Sequence, residues 1–147
     1  MSNYFLAKTD PQTYSISDFV AEKKAQKITK WDGVHNYQAV NVIKSWKIGD
    51  KVIIYHSMGK PKIVGLATVI SPPQRDVNDT RNISWYAELE LVREFLSLEQ
   101  ISLKQIKETS KNLNIFTDFA LIKQSRLSTM LCPQEFITWL RSVGVDL

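Results

Sequence analysis

The run Val52-Ile53-Ile54-Tyr55 constrains the fold of this chain more than any other feature. Four consecutive apolar side chains stand between Lys51 and His56, whereas successive side chains of a β-strand point to opposite faces of a sheet. A strand here is therefore covered on both faces, as in the interior of a sheet. The apolar residues 63–70 predict a second strand, reached through the hairpin-like connection Gly59-Lys60-Pro61.

A third strand is predicted over residues 85–93, where apolar and polar residues alternate. Trp85, Ala87, Leu89 and Leu91 share one face, and Tyr86, Glu88 and Glu90 share the other. This period of two is typical of a half-buried strand. Residues 4–8 predict a shorter strand, ended by Asp10-Pro11.

Helix signals lie between these strands. Ser15 or Ser17 can cap a helix that runs to Lys24, with Asp18 in its first turn. Asp32-Gly33 predicts a turn before a second helix over residues 36–46, in which Tyr37, Val40 and Ile43 recur at helical spacing. A surface loop is predicted for 71–83, a helix for 102–108, a polar linker for 109–114 and an extended second half for 121–130. The last helix is predicted from Pro133 to before Gly144, with Phe136, Ile137, Leu140 and Val143 buried.

These elements alternate without a regular βαβ rhythm, so we predict an α+β protein. Its mixed or antiparallel sheet is expected to curl into a small barrel with flanking helices. A length of 147 residues, 44% hydrophobic and 23% charged, predicts one globular domain over residues 1–147. No apolar run approaches the roughly 20 residues that span a bilayer, and the first residues do not resemble a signal peptide. We therefore expect no membrane partner.

The charged and sulfur-containing residues narrow the function classes. Cys132 is the single cysteine, which excludes an internal disulfide and favours a reducing, cytoplasmic location. The net charge of +4 and the pI near 9.2 are compatible with a nucleic-acid partner, although many enzymes are equally basic. Two histidines and one cysteine are too few for a usual structural zinc site. No phosphate-cradling glycine loop occurs, and we expect no metal ion or cofactor.

No catalytic constellation emerges from the sequence. His56 and Ser57 are adjacent at a strand end, where their side chains point to opposite faces and form a poor base–nucleophile pair. Cys132 precedes a helix, where its thiol pKa could be lowered. The favoured alternative is that Cys132 is a small filler at a position where a Ser or Thr cap is usual.

The segment Trp31-Asp-Gly-Val-His-Asn-Tyr-Gln-Ala-Val-Asn41 collects groups that recognise small molecules. It offers an indole and a phenol for stacking, and carboxylate, amide and imidazole groups for hydrogen bonds. Together with the polar end of Gly49-Asp-Lys-Val-Ile-Ile-Tyr-His-Ser57, it predicts a pocket for a flat, polar ligand.

The same segment resembles the signature Trp-Asp-Gly-Val-Arg-Asn-Tyr-Gln-Ala-Arg-Asn of EVE domains. Four further blocks resemble that family in the same order: Lys8-Thr-Asp-Pro-Gln-Thr-Tyr-Ser15, residues 49–57, Ile63-Val-Gly-Leu-Ala-Thr-Val69 and Arg126-Leu-Ser128. The resemblance implies a PUA-like barrel similar to the YTH domain, which reads methylated adenine in RNA. It also implies binding of a modified base, with methylated cytosine or adenine as the leading candidates, in DNA or RNA. Two signature arginines are replaced here, by His35 and Val40.

The resemblance implies a set of ligand-binding residues, most of which have a structural alternative. By analogy with the YTH domain, Trp31 and Trp85 are expected as walls of an aromatic cage, although both could be core residues. Asn36 is expected to read the base edge or to cap the helix, and Tyr37 to stack or to pack. Thr9 and Ser57 are expected at the barrel mouth. Arg126 and Ser128 are expected on one face of a strand, holding a phosphate or a base carbonyl. Arg126 could instead pair with Asp32, and Lys8 is expected to contact phosphate or solvent.

We therefore predict a non-catalytic module that recognises a modified nucleobase in nucleic acid. The alternative is a sensor of a free nucleobase, nucleoside or other flat metabolite, which the loss of two signature arginines favours. A hydrolase acting on a modified base lacks an evident acid–base pair.

Overall fold

A seven-stranded mixed sheet organises this computed structural model, which describes residues 2–34 and 36–147. The strands are β1 (Tyr4–Thr9), β2 (Thr29–Val34), β3 (Lys51–His56), β4 (Lys62–Val69), β5 (Gln74–Arg75), β6 (Trp85–Glu94) and β7 (Thr129–Leu131). The helices are α1 (Ile16–Lys24), α2 (Tyr37–Lys44), α3 (Leu103–Leu113), α4 (Ala120–Lys123) and α5 (Gln134–Ser142), with a 3-10 turn at Ser97–Glu99.

Strand β3 lies inside the sheet, as its unbroken apolar run predicts. It pairs in parallel with β1 and antiparallel with β4, and Val52, Ile53, Ile54 and Tyr55 are all buried. The order across the sheet is β2-β6-β4-β3-β1-β7, with β5 paired to β6. The prediction that both faces of this strand are covered is confirmed.

The sheet bends into a half-barrel because three of its strand pairings are interrupted. Register shifts occur in the pairings of β2 with β6, β3 with β4 and β4 with β6, and such irregularities bend a strand and increase its twist. The two edge strands β2 and β7 are not paired to each other, and α2 packs against both. The α+β class with a curled mixed sheet and flanking helices is confirmed.

Local signals place two of the helix starts correctly. Ser15, and not Ser17, caps α1 in a reciprocal capping box with Asp18. Asn36 caps α2 by accepting hydrogen bonds from the backbone N–H groups of Gln38 and Ala39. These caps set where the chain leaves β1 and β2, and therefore where the surrounding loops run.

Several predicted boundaries are wrong. The turn predicted at Asp32-Gly33 lies inside strand β2, because Gly33 adopts a φ of +74° and lets the chain continue as an irregular strand. Helix α3 extends to Leu113, so the expected linker over 109–114 is helical up to the left-handed Asn114. Its last turn faces solvent, including Leu113, except for the buried Ser110.

Two further corrections concern the C-terminal third. Strand β7 begins only at Thr129, so Arg126 and Ser128 precede it and do not share a strand face. Helix α5 buries Phe136, Ile137 and Leu140, but Val143 is 42% exposed because the helix ends at Ser142. Among the described residues, no helix has the length and apolar character needed to cross a membrane.

Candidate nucleobase pocket

An open pocket of about 430 Å³ lies between β1 and β2, which are not paired to each other. We call it the Trp31 pocket; it is lined by Lys8, Thr9, Thr13, Tyr14, Lys30, Trp31, Asp32 and Gly33. Strand β1 supplies its first two residues and β2 supplies its last four, whereas Thr13 and Tyr14 come from the loop before α1. The pocket therefore lies at the open edge of the sheet at β2, next to the end of β1 that β7 does not pair with.

Trp31 serves both the core and the pocket wall. Its side chain is 7% exposed and packs against the ring of Phe19, with centroids 6.2 Å apart. Tyr14 meets it edge-on at 6.1 Å, with the two ring planes at 83°. Trp31 therefore anchors β2 in the core and leaves a limited aromatic surface to the pocket.

Tyr14 lines the pocket but is not among the site residues predicted from the sequence. Burial raises the pKa of its phenol well above the ordinary value, which keeps the hydroxyl protonated. The signal that could have identified Tyr14 is its place in the Lys8–Ser15 block, which also contains Thr13. Lys30 and Asp32 were likewise missed, although each adjoins Trp31 in the sequence.

The hydroxyl of Thr9 holds the loop that carries Tyr14. Thr9 Oγ1 donates a hydrogen bond of 2.7 Å to the carbonyl oxygen of Tyr14. Thr9 also accepts a 3.0 Å hydrogen bond at its own carbonyl from the backbone N–H of Ser57. The end of β1 therefore connects the Tyr14 loop to the end of β3, where the barrel mouth was predicted.

Lys8 is anchored and is not a freely solvated lysine. Its Nζ donates a 2.9 Å hydrogen bond to the carbonyl oxygen of Ser125 and lies 5.8 Å from the ring centroid of Tyr55. Burial lowers the pKa of the Lys8 ammonium and raises the pKa of Tyr55 to about 12. Lys8 thus joins β1 to the segment between α4 and β7.

Ser57 lies in a smaller neighbouring cavity of about 140 Å³, which we call the Ser57 pocket. Its lining consists of Lys8, Tyr55, Ser57, Pro61, Leu103, Lys107, Leu121, Ile122 and Ser125. Ser57 Oγ is 3.4 Å from the Thr9 carbonyl oxygen, a long hydrogen bond. Ser57 and Trp31 consequently line different cavities, with Lys8 common to both.

Asn36 and Arg126 line a third cavity of about 310 Å³, the Arg126 pocket. The remaining lining residues are Gln38, Lys123, Gln124, Ser125 and Leu127. The amide oxygen of Asn36 is engaged in capping α2, as one interpretation of this residue predicts. Arg126 is exposed, and within 2–34 and 36–147 no ion pair joins it to Asp32.

Three predicted site residues lie elsewhere. Trp85 pairs with Val34 and Arg75 across the sheet, and Lys44 Nζ lies 4.7 Å from its ring centroid. Tyr37 is 79% exposed at the start of α2. The carbonyl oxygen of Ser128 accepts the backbone N–H of Lys8 at 2.8 Å. None of these three lines the Trp31, Ser57 or Arg126 pockets.

Of the two positions that depart from the EVE signature, the structure describes Val40 only. Val40 is 6% exposed and packs in the core, so this position of α2 faces the sheet and not solvent. His35 lies outside the described residues.

The reactive side chains outside these pockets have structural roles. Cys132 is buried, and burial raises its thiol pKa; the alternative of a lowered pKa is wrong. His56 Nε2 accepts a 3.0 Å hydrogen bond from the backbone N–H of Ile16, which stabilises the start of α1. Among the residues that the structure describes, no cluster of three or more His, Cys, Asp or Glu side chains could hold a metal ion.

A curled mixed sheet with flanking helices and an aromatic and polar pocket between β1 and β2 defines a small half-barrel of the α+β class. Residues 3–143 match the model of the EVE domain, and the chain belongs to this family. The resemblance inferred from five sequence blocks is confirmed, and with it the PUA-like fold.

Relatives and solved structures agree with this assignment. Thymocyte nuclear protein 1 of Rattus norvegicus is 31% identical over 172 aligned positions, which cover 97% of this chain and 74% of that protein. The Mus musculus protein is 37% identical over 86 positions, which cover 52% of this chain and 37% of that protein. Human THYN1 in complex with DNA containing 5-methylcytosine superposes with a TM-score of 0.84 at 24% identity, covering 99% of this chain and 100% of that one. Protein Atu2648 of Agrobacterium tumefaciens superposes with a TM-score of 0.82 at 28% identity, covering 98% and 94%.

Proposed function

We propose that this protein binds a modified nucleobase carried in nucleic acid, and that the base enters the Trp31 pocket. The observation that supports this most is the convergence of Trp31, Thr9 and Lys8 on one open cavity of about 430 Å³. These residues were singled out separately from the sequence, and they come from two strands that are not paired. Methylated cytosine and methylated adenine are the modified bases proposed first.

The lining of the pocket suits a base that has been taken out of a stack. Such a base needs an apolar or aromatic surface against its ring and polar groups at its edge. Trp31 and Tyr14 supply the aromatic surface, and Asp32 supplies a carboxylate that accepts from an exocyclic amino group, as acidic side chains do with cytosine N4. Lys30 also lines the pocket, and its Nζ lies 4.9 Å from the ring centroid of Tyr86 on β6.

The structure of human THYN1, which shares the fold, was determined in complex with DNA containing 5-methylcytosine. This supports 5-methylcytosine as the first probe, and the choice between DNA and RNA is part of the same test. The proposed role is that of a binding module and not of an enzyme. Membership of the EVE family supports this role, and a cytoplasmic location is proposed with it.

A second candidate function is the sensing of a free nucleobase, nucleoside or other flat metabolite by the same pocket. A reader of nucleic acid should prefer a modified oligonucleotide to the free modified nucleoside. A metabolite sensor should bind both equally or prefer the nucleoside.

The proposal is tested by calorimetric titration of the protein with DNA strands that contain 5-methylcytosine and with unmodified strands. Strands that contain N6-methyladenine and the RNA counterparts of all strands are titrated in parallel. Trp31→Leu keeps an apolar filler in the core but removes the aromatic surface, and base stacking on an aromatic ring is worth about 1–3 kcal/mol. We expect the preferred modified strand to bind about 5- to 150-fold more weakly to this variant. Trp85→Leu, outside the pocket, is the matched control and should bind as the wild type does. Equal binding of modified and unmodified strands by the wild-type protein would contradict the proposal.

A further inference from the structure

The Trp31, Ser57 and Arg126 pockets are neighbours that share lining residues. Lys8 lines both of the first two, and Ser125 lines both of the last two. The hydrogen bond from Lys8 Nζ to the Ser125 carbonyl oxygen, at 2.9 Å, ties together the shared walls. A polymer that places one unit in the Trp31 pocket therefore has a groove available for the neighbouring units.

The charged residues of the Ser57 and Arg126 pockets are all basic. Lys8 and Lys107 line the Ser57 pocket, and Lys123 and Arg126 line the Arg126 pocket, whereas neither lining contains a carboxylate. The whole chain has 15 acidic residues beside 19 basic ones, so four cations without an acid depart from the average surface. Clustered cations with neutral amide donors suit a phosphate backbone.

Three of these cations are available to a ligand. Lys107, Lys123 and Arg126 are exposed, and none of them takes part in an ion pair with another described residue. They lie on α3, on α4 and in the turn before β7, three neighbouring elements on the Ser125 side of the Trp31 pocket. Lys8 differs, because its ammonium group is already bonded to the backbone.

We propose that the nucleic-acid strand leaves the Trp31 pocket on this side, along a basic lane formed by Lys107, Lys123 and Arg126. The phosphates of the nucleotides that flank the modified base on one side contact these three residues. This inference rests on the function proposed above and adds the direction of the strand and the residues that hold it. It also implies that the flank on the other side of the base contributes little to the affinity.

The test compares two triple variants that carry the same charge. The lane variant removes the basic lane and carries Lys107→Gln, Lys123→Gln and Arg126→Gln. The control variant carries Lys24→Gln, Lys47→Gln and Lys111→Gln, which replace three exposed cations that line none of the three pockets. The probe is a single-stranded DNA with one central 5-methylcytosine, titrated between about 50 and about 200 mM salt. The logarithm of the binding constant falls with the logarithm of the salt concentration by about 0.7 per phosphate contact in a single strand. We expect the lane variant to reduce this slope by about 2 and the control variant to leave it unchanged.

A second measurement separates this inference from the function on which it depends. The free nucleoside 5-methyl-2′-deoxycytidine should bind equally to wild type and to the lane variant, because it has no flanking phosphate. Two strands with the modified base at the 5′ end or at the 3′ end should differ in salt slope for the wild type, and the lane variant should remove that difference. Equal salt slopes for the two strands, or a wild-type salt slope in the lane variant, would contradict the basic lane but not the proposed base pocket. Binding of neither the nucleoside nor the modified strand by the wild type would overturn both.

Discussion

Glu99 joins three parts of the fold through one carboxylate. Glu99 is 6% exposed. Its carboxylate accepts hydrogen bonds from both terminal nitrogens of Arg93, from Leu96 N at 2.9 Å and from Asp146 N at 3.1 Å. The contact therefore ties the end of β6 to the 3-10 turn and to the C-terminal residues. Glu99→Gln keeps the shape of the side chain but removes its charge and an acceptor.

The magnitude follows from the pKa of Glu99. The hydrogen-bonded Arg93 guanidinium lowers this pKa from 4.5 to about 2, and each unit of pKa difference between the folded and unfolded states corresponds to about 1.4 kcal/mol. The full pKa difference would correspond to a stabilisation of the folded state by about 3 kcal/mol. Because the Arg93 side chain is 27% exposed, solvent screening reduces this value. We therefore expect Glu99→Gln to lower the free energy of unfolding by about 2 kcal/mol at neutral pH.

Urea denaturation of wild type and Glu99→Gln at several pH values checks this reasoning. A carboxylate with a lowered pKa stabilises the folded state above its unfolded pKa of about 4.5. That contribution is lost as the pH falls through the interval between about 4.5 and the folded value of about 2. The difference between the two proteins should thus be largest near neutral pH and shrink in acid. A difference that is the same at both ends of the range would refute the ionic account of this contact.

Three further predictions concern the elements around the Trp31 pocket. Thr9→Val, which removes the hydroxyl bonded to the Tyr14 carbonyl, should lower the free energy of unfolding by about 1 kcal/mol and weaken binding of the modified strand, as measured by urea denaturation and calorimetry. Burial lowers the pKa of His56, so wild type should lose stability as the pH falls below about 6.5, and His56→Gln should show a shallower loss in the same denaturation series. Gly65→Ala would place a Cβ atom 2.6 Å from Ile16 Cδ1 and 3.3 Å from the Arg93 carbonyl oxygen, so it should cost about 1–3 kcal/mol in thermal unfolding. An unchanged melting temperature for Gly65→Ala would contradict that packing.

The sequence predicts the sheet well wherever one strand carries its own pattern. The unbroken run in β3 and the alternation in β6 required no knowledge of their neighbours, and the caps at Ser15 and Asn36 are equally local. Strand β2 was missed because Asp32-Gly33 has the composition of a turn. In the fold, β6 pairs with Trp31 and again with Val34, on either side of these two residues, so a tertiary contact overrides the local signal.

The pocket could be predicted only in part, for a similar reason. Trp31, Thr9 and Lys8 were found because they stand in recognisable blocks, whereas the separation of Trp85 from Trp31 depends on how β2 and β6 curl. The contact of Lys8 with Ser125 joins residues 117 positions apart. No periodicity or spacing carries such information, and the groove that this contact creates is visible only in the folded chain.

The most direct test of the central claim is a titration followed by NMR on the indole N–H groups. The chain has four tryptophans, so Trp46, Trp85 and Trp139 serve as internal references for Trp31. On addition of single-stranded DNA with one 5-methylcytosine, we predict that the indole signal of Trp31 shifts and saturates together with the backbone signals of Thr9, Tyr14 and Asp32. The signals of the buried Trp46 and Trp139 should not move. Saturable binding that shifts Trp85 and leaves Trp31 unchanged would contradict the placement of the base in this pocket.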